Sequence, residues 1–298
     1  MFQPNLSWQD SIWFSDVDDT LIDTAGTSTS ASDGIKTVFE THFGADKASE
    51  VQKNFNDLFA LMMAGYRVQN DDWARVRGGR KAFDSLLKYV ESCQQQVVRT
   101  HGHFKKWSRE IFIKRASEQA NLVVTPELVH EAADAYWLTL TKRTVIFPDA
   151  IKLSDTIAAR HRPLFLVTSS DARLKMQPDG QFVYDPAYSE ALKRQRMELL
   201  RERGLRFNAV SIGDPEDKPH PDFFAKAIRL AEADLGITFE PSHAIMLGDS
   251  FGGDLQTPKD KLGFGLVVLR EKGRKEVRHD DDHQVTLGDL NEVFRLFS

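Results

Sequence analysis

The sequence has one cysteine, no long apolar run and no strong excess of either charge. Cys93 is the single cysteine among 298 residues, which excludes an intramolecular disulfide and a zinc site made of several thiolates. The first fifteen residues contain Asp10 but neither lysine nor arginine, and no apolar run approaches the roughly 20 residues needed to span a bilayer. These absences predict a cytoplasmic protein without a membrane partner.

Charge gives no indication of a nucleic-acid partner either. The formal net charge is -5, whereas nucleic acids attract proteins that carry a concentrated positive field. Because 41% of the residues are apolar, the chain can bury a substantial core in one large domain or two smaller ones. We therefore expect small-molecule chemistry in a monomer or homodimer.

Five short apolar runs predict buried strands. Such near-continuous runs are typical of parallel strands that are covered on both faces. The predicted strands are Ile12–Phe14, Leu164–Val167, Ala209–Ile212, Ala244–Leu247 and Leu266–Leu269. The last four alternate with helical patterns, which indicates an open α/β sheet.

A helical block separates the first strand from the second. Between residues 21 and 145 strand patterns are almost absent, and apolar residues recur at helical spacing. The predicted helical stretches are Ile35–Phe43, Glu50–Met63, Lys81–Gln94, Phe104–Ala120 and Glu127–Leu140. Thr125 and Pro126 precede the last stretch, which predicts an N-cap followed by a first-turn proline.

These patterns predict an α/β protein with two domains. A Rossmann-like parallel sheet domain comprises residues 1–24 and 146–298, and an all-helical domain of residues 25–145 is inserted into it. The segment 171–188 contains the turn sequence Pro178-Asp179-Gly180 and is longer than a minimal connection. It is either a surface hairpin or a segment that shapes the entrance of the site.

Acidic residues follow the first strand directly. Asp16 and Asp18 stand at its carboxyl end, which is the edge where open α/β sheets bind ligands. A spacing of two keeps both side chains on one side of an extended chain, so that one can attack while the other handles a proton. Two such close carboxylates need a compensating cation or a shared proton.

A second acidic pair follows the predicted strand Ala244–Leu247. It consists of Asp249 and Asp254, and oxygen ligands of this kind suit Mg²⁺. Asp214 also follows a strand and competes for the metal role, but we rank it lower because it leads into a proline-rich stretch that is better suited to presenting Lys218. The sequence therefore predicts a Mg²⁺ site at this edge of the sheet.

The remaining predicted strand edge offers hydroxyl groups. Thr168, Ser169 and Ser170 end the second strand, and each can hold a phosphoryl oxygen. Together with the acids and Lys218, they complete a set of nucleophile, acid, hydroxyl donor, cation and metal ligands.

These four motifs, in this order and each after a strand, resemble the haloacid dehalogenase superfamily of phosphatases and phosphotransferases. The family's first motif, Asp-x-Asp-x-Thr, matches residues 16–20, and its second matches Thr168. A lysine followed by Pro-x-Pro matches residues 218–221, and Gly-Asp with a later Asp matches residues 248–254. The inserted helical block resembles the family's type 1 cap. Asp19 departs from the pattern, because glycine often holds this position.

The resemblance implies roles for the first two acids. Asp16 would attack phosphorus and ligate Mg²⁺. Asp18 would protonate the leaving group and then deprotonate water, while its backbone carbonyl binds the metal.

The resemblance also assigns the other motif residues. Thr168 and Lys218 would stabilise charge on the transferred phosphoryl group, and Asp249 would complete the metal shell with support from Asp254. Such electrostatic positioning is most of what an enzyme contributes to phosphoryl transfer.

Substrate choice is expected to reside in the helical insert. Arg67, Arg75, Arg77 and Arg80 surround Trp73 there. This segment is either a loop that grips an anionic or aromatic part of the substrate or a solvated basic turn before a helix. We take Arg77 and Arg80, together with Ser169, as candidate substrate-binding residues.

The predicted function is Mg²⁺-dependent hydrolysis of a small phosphorylated metabolite through an aspartyl-phosphate. A phosphomutase shares every motif and differs only in the acceptor. A dehalogenase is disfavoured, because those family members replace the second acid of the first motif, whereas Asp18 is present here. A catalytically idle binding module is the alternative from another class.

Overall fold

The computed structural model divides into two compact units. It describes residues 6–66, 68, 72–214 and 216–297. The sheet unit comprises residues 1–25, 144–170 and 190–298. The helical unit comprises residues 26–143 and 171–189.

Strands and helices are numbered along the chain. The strands are β1 Ile12–Ser15, β2 Leu164–Ser169, β3 Leu174–Met176, β4 Phe182–Tyr184, β5 Val210–Gly213, β6 Ala244–Gly248, β7 Leu266–Arg270, β8 Arg278–Asp281 and β9 Gln284–Leu287. The helices are α1 Thr24–Phe43, α2 Ala45–Tyr66, α3 Gly79–Ser92, α4 Gln95–His101, α5 Arg109–Gln119, α6 Pro126–Arg143, α7 Pro148–Ala159, α8 Pro186–Glu202, α9 Pro221–Leu235 and α10 Gln256–Asp260.

The sheet unit is built on a twisted sheet whose strand order is β5-β2-β1-β6-β7-β9-β8. Neighbouring strands from β5 to β9 run parallel, and β8 pairs antiparallel with β9 at one edge. All five predicted strands are present, so the prediction of a Rossmann-like parallel sheet is confirmed. The order reverses direction at β1, which makes its carboxyl end the topological switch point where such sheets bind ligands.

Apolar side chains cover both faces of this sheet. Trp13 packs on one face with residues of α7 and α8. Ile12 and Phe14 point to the opposite face, where they pack with Phe223 and Phe224 of α9. Because all positions of the central strands β1 and β6 are buried, their sequences are nearly continuous apolar runs rather than alternating ones.

Strands β8 and β9 were not predicted from the sequence. All four residues of β8 are exposed, and they include Arg278, Asp280 and Asp281. Charged residues are common on edge strands, where they prevent pairing with other chains. Such a composition is also typical of turns, so the pattern did not distinguish the two.

The helical unit contains α2 to α6 and most of α1 around one apolar cluster. Thr125 caps α6 by accepting a hydrogen bond from Leu128 N at 3.3 Å, as predicted. Several boundaries differ from prediction: α5 begins at Arg109 rather than near Phe104, α2 begins at Ala45 rather than Glu50, and the polar stretch Thr24–Ser32 is helical. No helix within the described residues is long and apolar enough to cross a membrane.

Small buried residues allow α1 to pack closely against α6. Thr27, Ala31, Ser32 and Gly34 are buried along one side of the helix. A Cβ on Gly34 would lie 2.3 Å from the carbonyl oxygen of Ala135 in α6. Glycine is therefore required here for backbone approach rather than for flexibility.

The structure corrects the predicted domain division at the segment 171–189, which the prediction kept in the sheet domain. It forms the antiparallel pair β3–β4 around a turn that includes Gly180, and it belongs to the helical unit. Leu174 and Phe182 are fully buried in that unit's apolar cluster, and Phe182 N donates to Cys93 O at 2.8 Å. The helical insert is thus confirmed, but it also contains a small sheet supplied by a later part of the chain.

We expect Gly34→Ala to lower the free energy of unfolding by ~1–3 kcal/mol, because the added methyl group overlaps the α6 backbone. Chemical denaturation measures the change. Thr37→Ala is the matched control on the same helix, since Thr37 is exposed and its hydroxyl donates only to the helix carbonyl of Asp33. Equal stability of wild type and Gly34→Ala would contradict the close packing of α1 on α6.

Candidate active site

Asp16 stands directly after β1, at the switch point of the sheet. Its backbone N–H donates to Leu247 O at 2.9 Å, which extends the pairing of β1 with β6 by one residue. Its side chain is buried, and Oδ2 accepts a hydrogen bond from the hydroxyl of Thr20 at 2.9 Å. The carboxylate is thereby fixed at the edge where a ligand would approach.

Three carboxylates from the first and the last motif meet at this edge. Oxygen atoms of Asp16, Asp249 and Asp254 lie within 4.8 Å of one another, with Asp249 the exposed member. Glycine at 248 permits this, because a Cβ there would come within 2.4 Å of the Cβ of Asp254. Asp214 is not a member of this group. Three converging carboxylate oxygens fit a hard divalent cation.

Lys218 is the cation that the structure itself provides for this cluster. Its Nζ donates to Oδ1 of Asp16 and to Oδ1 of Asp254, the latter at 2.8 Å. The other oxygen of Asp254 accepts from Ser250 N at 3.0 Å. The predicted nucleophile, the predicted lysine and the last acidic motif are therefore in direct contact.

The loop that carries Lys218 is held from two sides. Asp217 accepts a hydrogen bond from Lys218 N at 2.8 Å and another from the hydroxyl of Ser169 at 2.5 Å. Thr257 donates to the carbonyl of Pro219 at 2.7 Å. These contacts join the ends of β2 and β5 and the start of α10, and they support the predicted role of this stretch in presenting the lysine.

The two candidate hydroxyl residues of β2 differ in their surroundings. Thr168 is fully buried near the end of β2, which lies beside β1 in the sheet. The hydroxyl of Ser169 is engaged with Asp217, so a role in substrate binding would require it to exchange this partner. The assignments of Thr168 and Ser169 stay predictions.

The electrostatics of the cluster show that one lysine does not balance three carboxylates. Burial and the neighbouring carboxylates raise the pKa of Asp16 to about 8 although Lys218 opposes the shift. Desolvation and the nearby acids, chiefly Asp254, raise the pKa of Asp249 to about 7. Asp16 and Asp254 keep the pKa of Lys218 above its usual range in spite of its burial. Without a further cation the cluster therefore retains protons near neutral pH.

Asp18 is not a member of this cluster of three carboxylates, and its side chain contacts α8. Its carboxylate accepts hydrogen bonds from Lys193 Nζ at 2.9 Å and from the hydroxyl of Thr24 at 2.6 Å, and Arg196 lies 3.7 Å away. Burial alone would raise the pKa of Asp18, but the charges of Lys193 and Arg196 outweigh it and hold the pKa below its usual range. The predicted metal contact of the Asp18 carbonyl stays a prediction.

Sequence reasoning missed the two basic residues that contact Asp18. Lys193 and Arg196 are three positions apart on α8 and are both buried. The spacing places them on one face of a helix, and this was the available signal. It did not reveal that Asp18 is their partner, because the two segments are far apart in sequence.

Asp19 takes a backbone conformation that favours glycine. Its φ is 62°, in the left-handed region that Asp and Asn tolerate better than most residues. Its carboxylate accepts from Ala25 N at 3.0 Å and from Lys272 Nζ at 3.2 Å, and Lys272 also contacts Asp23 at 3.1 Å. These contacts explain how the loop after Asp16 accommodates an acid where the family often has glycine.

Arg270 fixes the same loop from β7. It donates to the carbonyl of Thr20, whose hydroxyl in turn donates to Asp16. Its guanidinium is held by both carboxylate oxygens of Asp149, at 3.0 and 2.9 Å. The position of the Asp16 carboxylate is thus linked to an ion pair between a buried arginine and a partly buried aspartate, which the sequence did not reveal.

The predicted substrate-binding arginines belong to the helical unit. Arg77 Nη1 lies 3.3 Å from a carboxylate oxygen of Asp57, and Arg80 Nε lies 3.7 Å from one of Asp84. Both side chains are largely exposed, and Arg67 lies outside the described residues. Their part in substrate binding stays a prediction.

Comparison with solved structures identifies the fold, whereas the sequence matches no family model and no curated protein. The chain is similar to a protein provisionally named a β-phosphoglucomutase from Thermotoga maritima, with 13% identity and a TM-score of 0.51 over 96% of this chain and 97% of that chain. It is similar to a 2-haloacid dehalogenase from Pseudomonas syringae pv. tomato, with 16% identity and a TM-score of 0.50 over 96% and 97%. These two likenesses show a fold that the chain shares with both proteins, one of them a haloacid dehalogenase, and this agrees with the predicted fold.

A third similar solved structure is that of a protein provisionally named a HAD-hydrolase, from Bacillus subtilis, bound to magnesium. It shares 15% identity with this chain, and the TM-score is 0.47 over 96% of this chain and 98% of that chain.

We expect the metal-free protein to lose stability as the pH rises, because of the cluster formed by Asp16, Asp249 and Asp254. The raised pKa of Asp249 means that its carboxyl keeps a proton in the folded state at a pH where the unfolded chain releases it. The stability that this retained proton gives the folded state is fully present below the ordinary pKa of 3.8. It is lost as the pH rises through about 7. Thermal unfolding in chelator, from about pH 5 to 9, should show wild type losing stability relative to Asp249→Asn, which cannot titrate.

Added Mg²⁺ should remove most of that relative loss at high pH, because the cation replaces the retained protons. A constant difference between wild type and Asp249→Asn across the pH range would contradict the raised pKa. An unchanged pH dependence with Mg²⁺ present would contradict cation binding at the cluster.

Proposed function

We propose that the protein hydrolyses a small-molecule phosphomonoester in a Mg²⁺-dependent reaction that passes through an aspartyl-phosphate on Asp16. The observation that carries the proposal is the contact of Lys218 Nζ with both Asp16 and Asp254 at the switch point of the sheet. This arrangement joins a nucleophilic carboxylate to a fixed positive charge, which is what transfer of a phosphoryl dianion requires.

The acidic cluster supports the choice of cation. Asp16, Asp249 and Asp254 would hold Mg²⁺ through carboxylate oxygens, the ligand type that this ion prefers. Bound Mg²⁺ would neutralise the phosphoryl oxygens and let them approach three carboxylates. The raised pKa values of Asp16 and Asp249 indicate the same need for added positive charge.

In the first step, an oxygen of Asp16 forms a bond to phosphorus while the bond from phosphorus to the leaving oxygen breaks. The electron pair of the broken bond stays on the leaving oxygen. Lys218 holds a phosphoryl oxygen as charge develops there, and Thr168 is the predicted hydroxyl donor to another. Thr20 keeps the attacking carboxylate oriented through its hydrogen bond to Oδ2.

In the second step, water attacks the phosphorus of the aspartyl-phosphate and the Asp16 carboxylate is released. Asp18 is the base that accepts the proton of this water. Lys193 and Arg196 keep Asp18 in the ionised form that a base must have, while the lowered pKa of Asp18 also makes it a weaker base. The same contacts oppose a proton on Asp18, so proton donation to the leaving group in the first step requires Asp18 to move away from Lys193.

Two other activities would use the same residues. A phosphomutase would pass the phosphoryl group from Asp16 to a second hydroxyl instead of water. An idle binding module would keep the cation site and show no turnover. Assays across a panel of phosphorylated metabolites separate these from hydrolysis, since hydrolysis alone releases inorganic phosphate.

We expect Asp16→Asn to abolish turnover of an aryl phosphate, and chelation of Mg²⁺ to do the same to wild type. Asp18→Asn should lower turnover by ~10²–10⁴-fold, because it removes the base of the second step. An aryl leaving group needs no proton, so the first step should survive in this variant. Phosphoprotein on Asp16 should then accumulate, and acid quenching followed by mass spectrometry measures it.

Asp260→Asn is the matched control, because Asp260 is an exposed aspartate outside the acidic cluster. Its turnover should equal that of wild type. Wild-type turnover in Asp16→Asn, or full activity of metal-free protein, would contradict the proposed mechanism. Absence of phosphoprotein in Asp18→Asn would contradict the division of the two steps.

A further inference from the structure

The helical unit contains a buried arginine that has no acidic partner. Arg109, the first residue of α5, is 8% exposed, and no carboxylate within the described residues forms an ion pair with it. An arginine does not give up its proton in proteins, so this charge cannot be relieved by titration. A buried charge without a counter-ion is costly, and buried charges in folded proteins are normally paired.

Aromatic rings rather than acids surround the Arg109 guanidinium. Its Cζ lies 4.3 Å from the ring centre of Phe59, 4.8 Å from that of Trp137 and 5.3 Å from that of Tyr136. Nη1 donates to the carbonyl of Trp107 at 2.6 Å. Nε is buried and has no hydrogen-bond acceptor in the described part of the chain.

The other buried arginine of the same unit provides the contrast. Arg173 is 3% exposed, and it is paired with Glu110 at 2.6 Å and with Asp134. The second oxygen of Glu110 accepts from the hydroxyl of Ser108 at 2.6 Å. Glu110 follows Arg109 directly in sequence, yet it forms its ion pair with Arg173. The fold thus compensates one of these two buried charges and leaves the other without an anion.

The hydroxyl of Tyr136, whose ring lies beside Arg109, is a second buried donor without an acceptor among the described residues. The Tyr136 side chain is fully buried, and its hydroxyl has no hydrogen-bond partner among the described residues. Buried polar groups of folded proteins are nearly always hydrogen-bonded. The Tyr136 ring centre lies 5.3 Å from Cζ of Arg109, so two buried donors without an acceptor in the described part of the chain belong to neighbouring side chains.

We propose that Arg109 and Tyr136 form a binding site for an oxyanion group, a carboxylate or a phosphate, of a small ligand. The guanidinium supplies the charge and a planar set of donors that match such oxygens, and the phenol supplies one more hydrogen bond. Phe59 and Trp137 form the apolar walls that keep this charge desolvated and so strengthen its attraction for an anion. This inference concerns the helical unit alone and does not rest on the proposed hydrolysis.

The test uses the five tryptophans of the full chain as reporters. Protein labelled with ¹⁵N-tryptophan is titrated in chelator with sodium acetate in one arm and sodium phosphate in the other, against sodium chloride at equal ionic strength. The indole signals of Trp137 and Trp107 should shift with at least one of the two anions. Those of Trp8 and Trp13, in the sheet unit, should not shift. Chelator removes metal-assisted anion binding at the acidic cluster.

Variants of Arg109 and Tyr136 then test whether the indole shifts arise from anion binding at these two residues. Arg109→Met should weaken the apparent affinity about tenfold or more, and Tyr136→Phe by a smaller factor of about three. Arg115→Met is the matched control on the same helix, because Arg115 is more exposed and already pairs with Glu118 at 3.1 Å. It should bind the anion as wild type does. Arg109→Lys keeps a charge at the position if the Met variant fails to fold, and loss of the planar donors should still weaken binding.

The two arms identify the ligand group, since a response to acetate indicates a carboxylate and a response to phosphate alone indicates a phosphate. Absence of any shift specific to Trp137 and Trp107 with both anions would overturn the proposal. Equal affinity in wild type, Arg109→Met and Tyr136→Phe would also overturn it, because binding would then lie elsewhere.

Discussion

Mutual repulsion among carboxylates at the carboxyl edge of β1 and β6 is the constraint on which the rest of this site depends. Asp16, Asp249 and Asp254 converge within 4.8 Å, a spacing at which all three cannot stay ionised without compensation. Lys218 supplies part of it by contacting two of them. The negative charge that remains uncompensated makes the cluster a site where protons or a divalent cation can bind.

In the loop after Asp16, acidic side chains are likewise compensated by cations. Three of its polar residues are held by cations from two later parts of the chain: Asp18 by Lys193 and Arg196 of α8, and Thr20 and Asp19 by Arg270 and Lys272 at the end of β7. Because these cations come from distant parts of the sequence, the loop takes its shape only when the sheet has assembled. The arrangement orients the nucleophile and separates Asp16, beside Lys218, from Asp18, beside Lys193.

The sequence predicted the five parallel strands and the motif residues, because both leave local patterns: continuous apolar runs, and acids or a lysine directly after them. It did not predict that Arg270 and Lys193 contact the nucleophile loop, since such pairs depend on tertiary contacts between distant segments. The segment 171–189 was misassigned for the same reason. Its strands are three residues each, too short for a pattern, and their place was decided by burial of Leu174 and Phe182 against helices.

The identity of the atom that water attacks tests the central claim most directly. A single turnover of an aryl phosphate in oxygen-18 water, with enzyme in excess, allows the released phosphate and the peptide that contains Asp16 to be analysed separately. If Asp16 carries a phosphoryl group and Lys218 stabilises charge on it, water attacks phosphorus. The label should then appear in inorganic phosphate and be absent from the Asp16 carboxylate. Label in Asp16 would contradict the account.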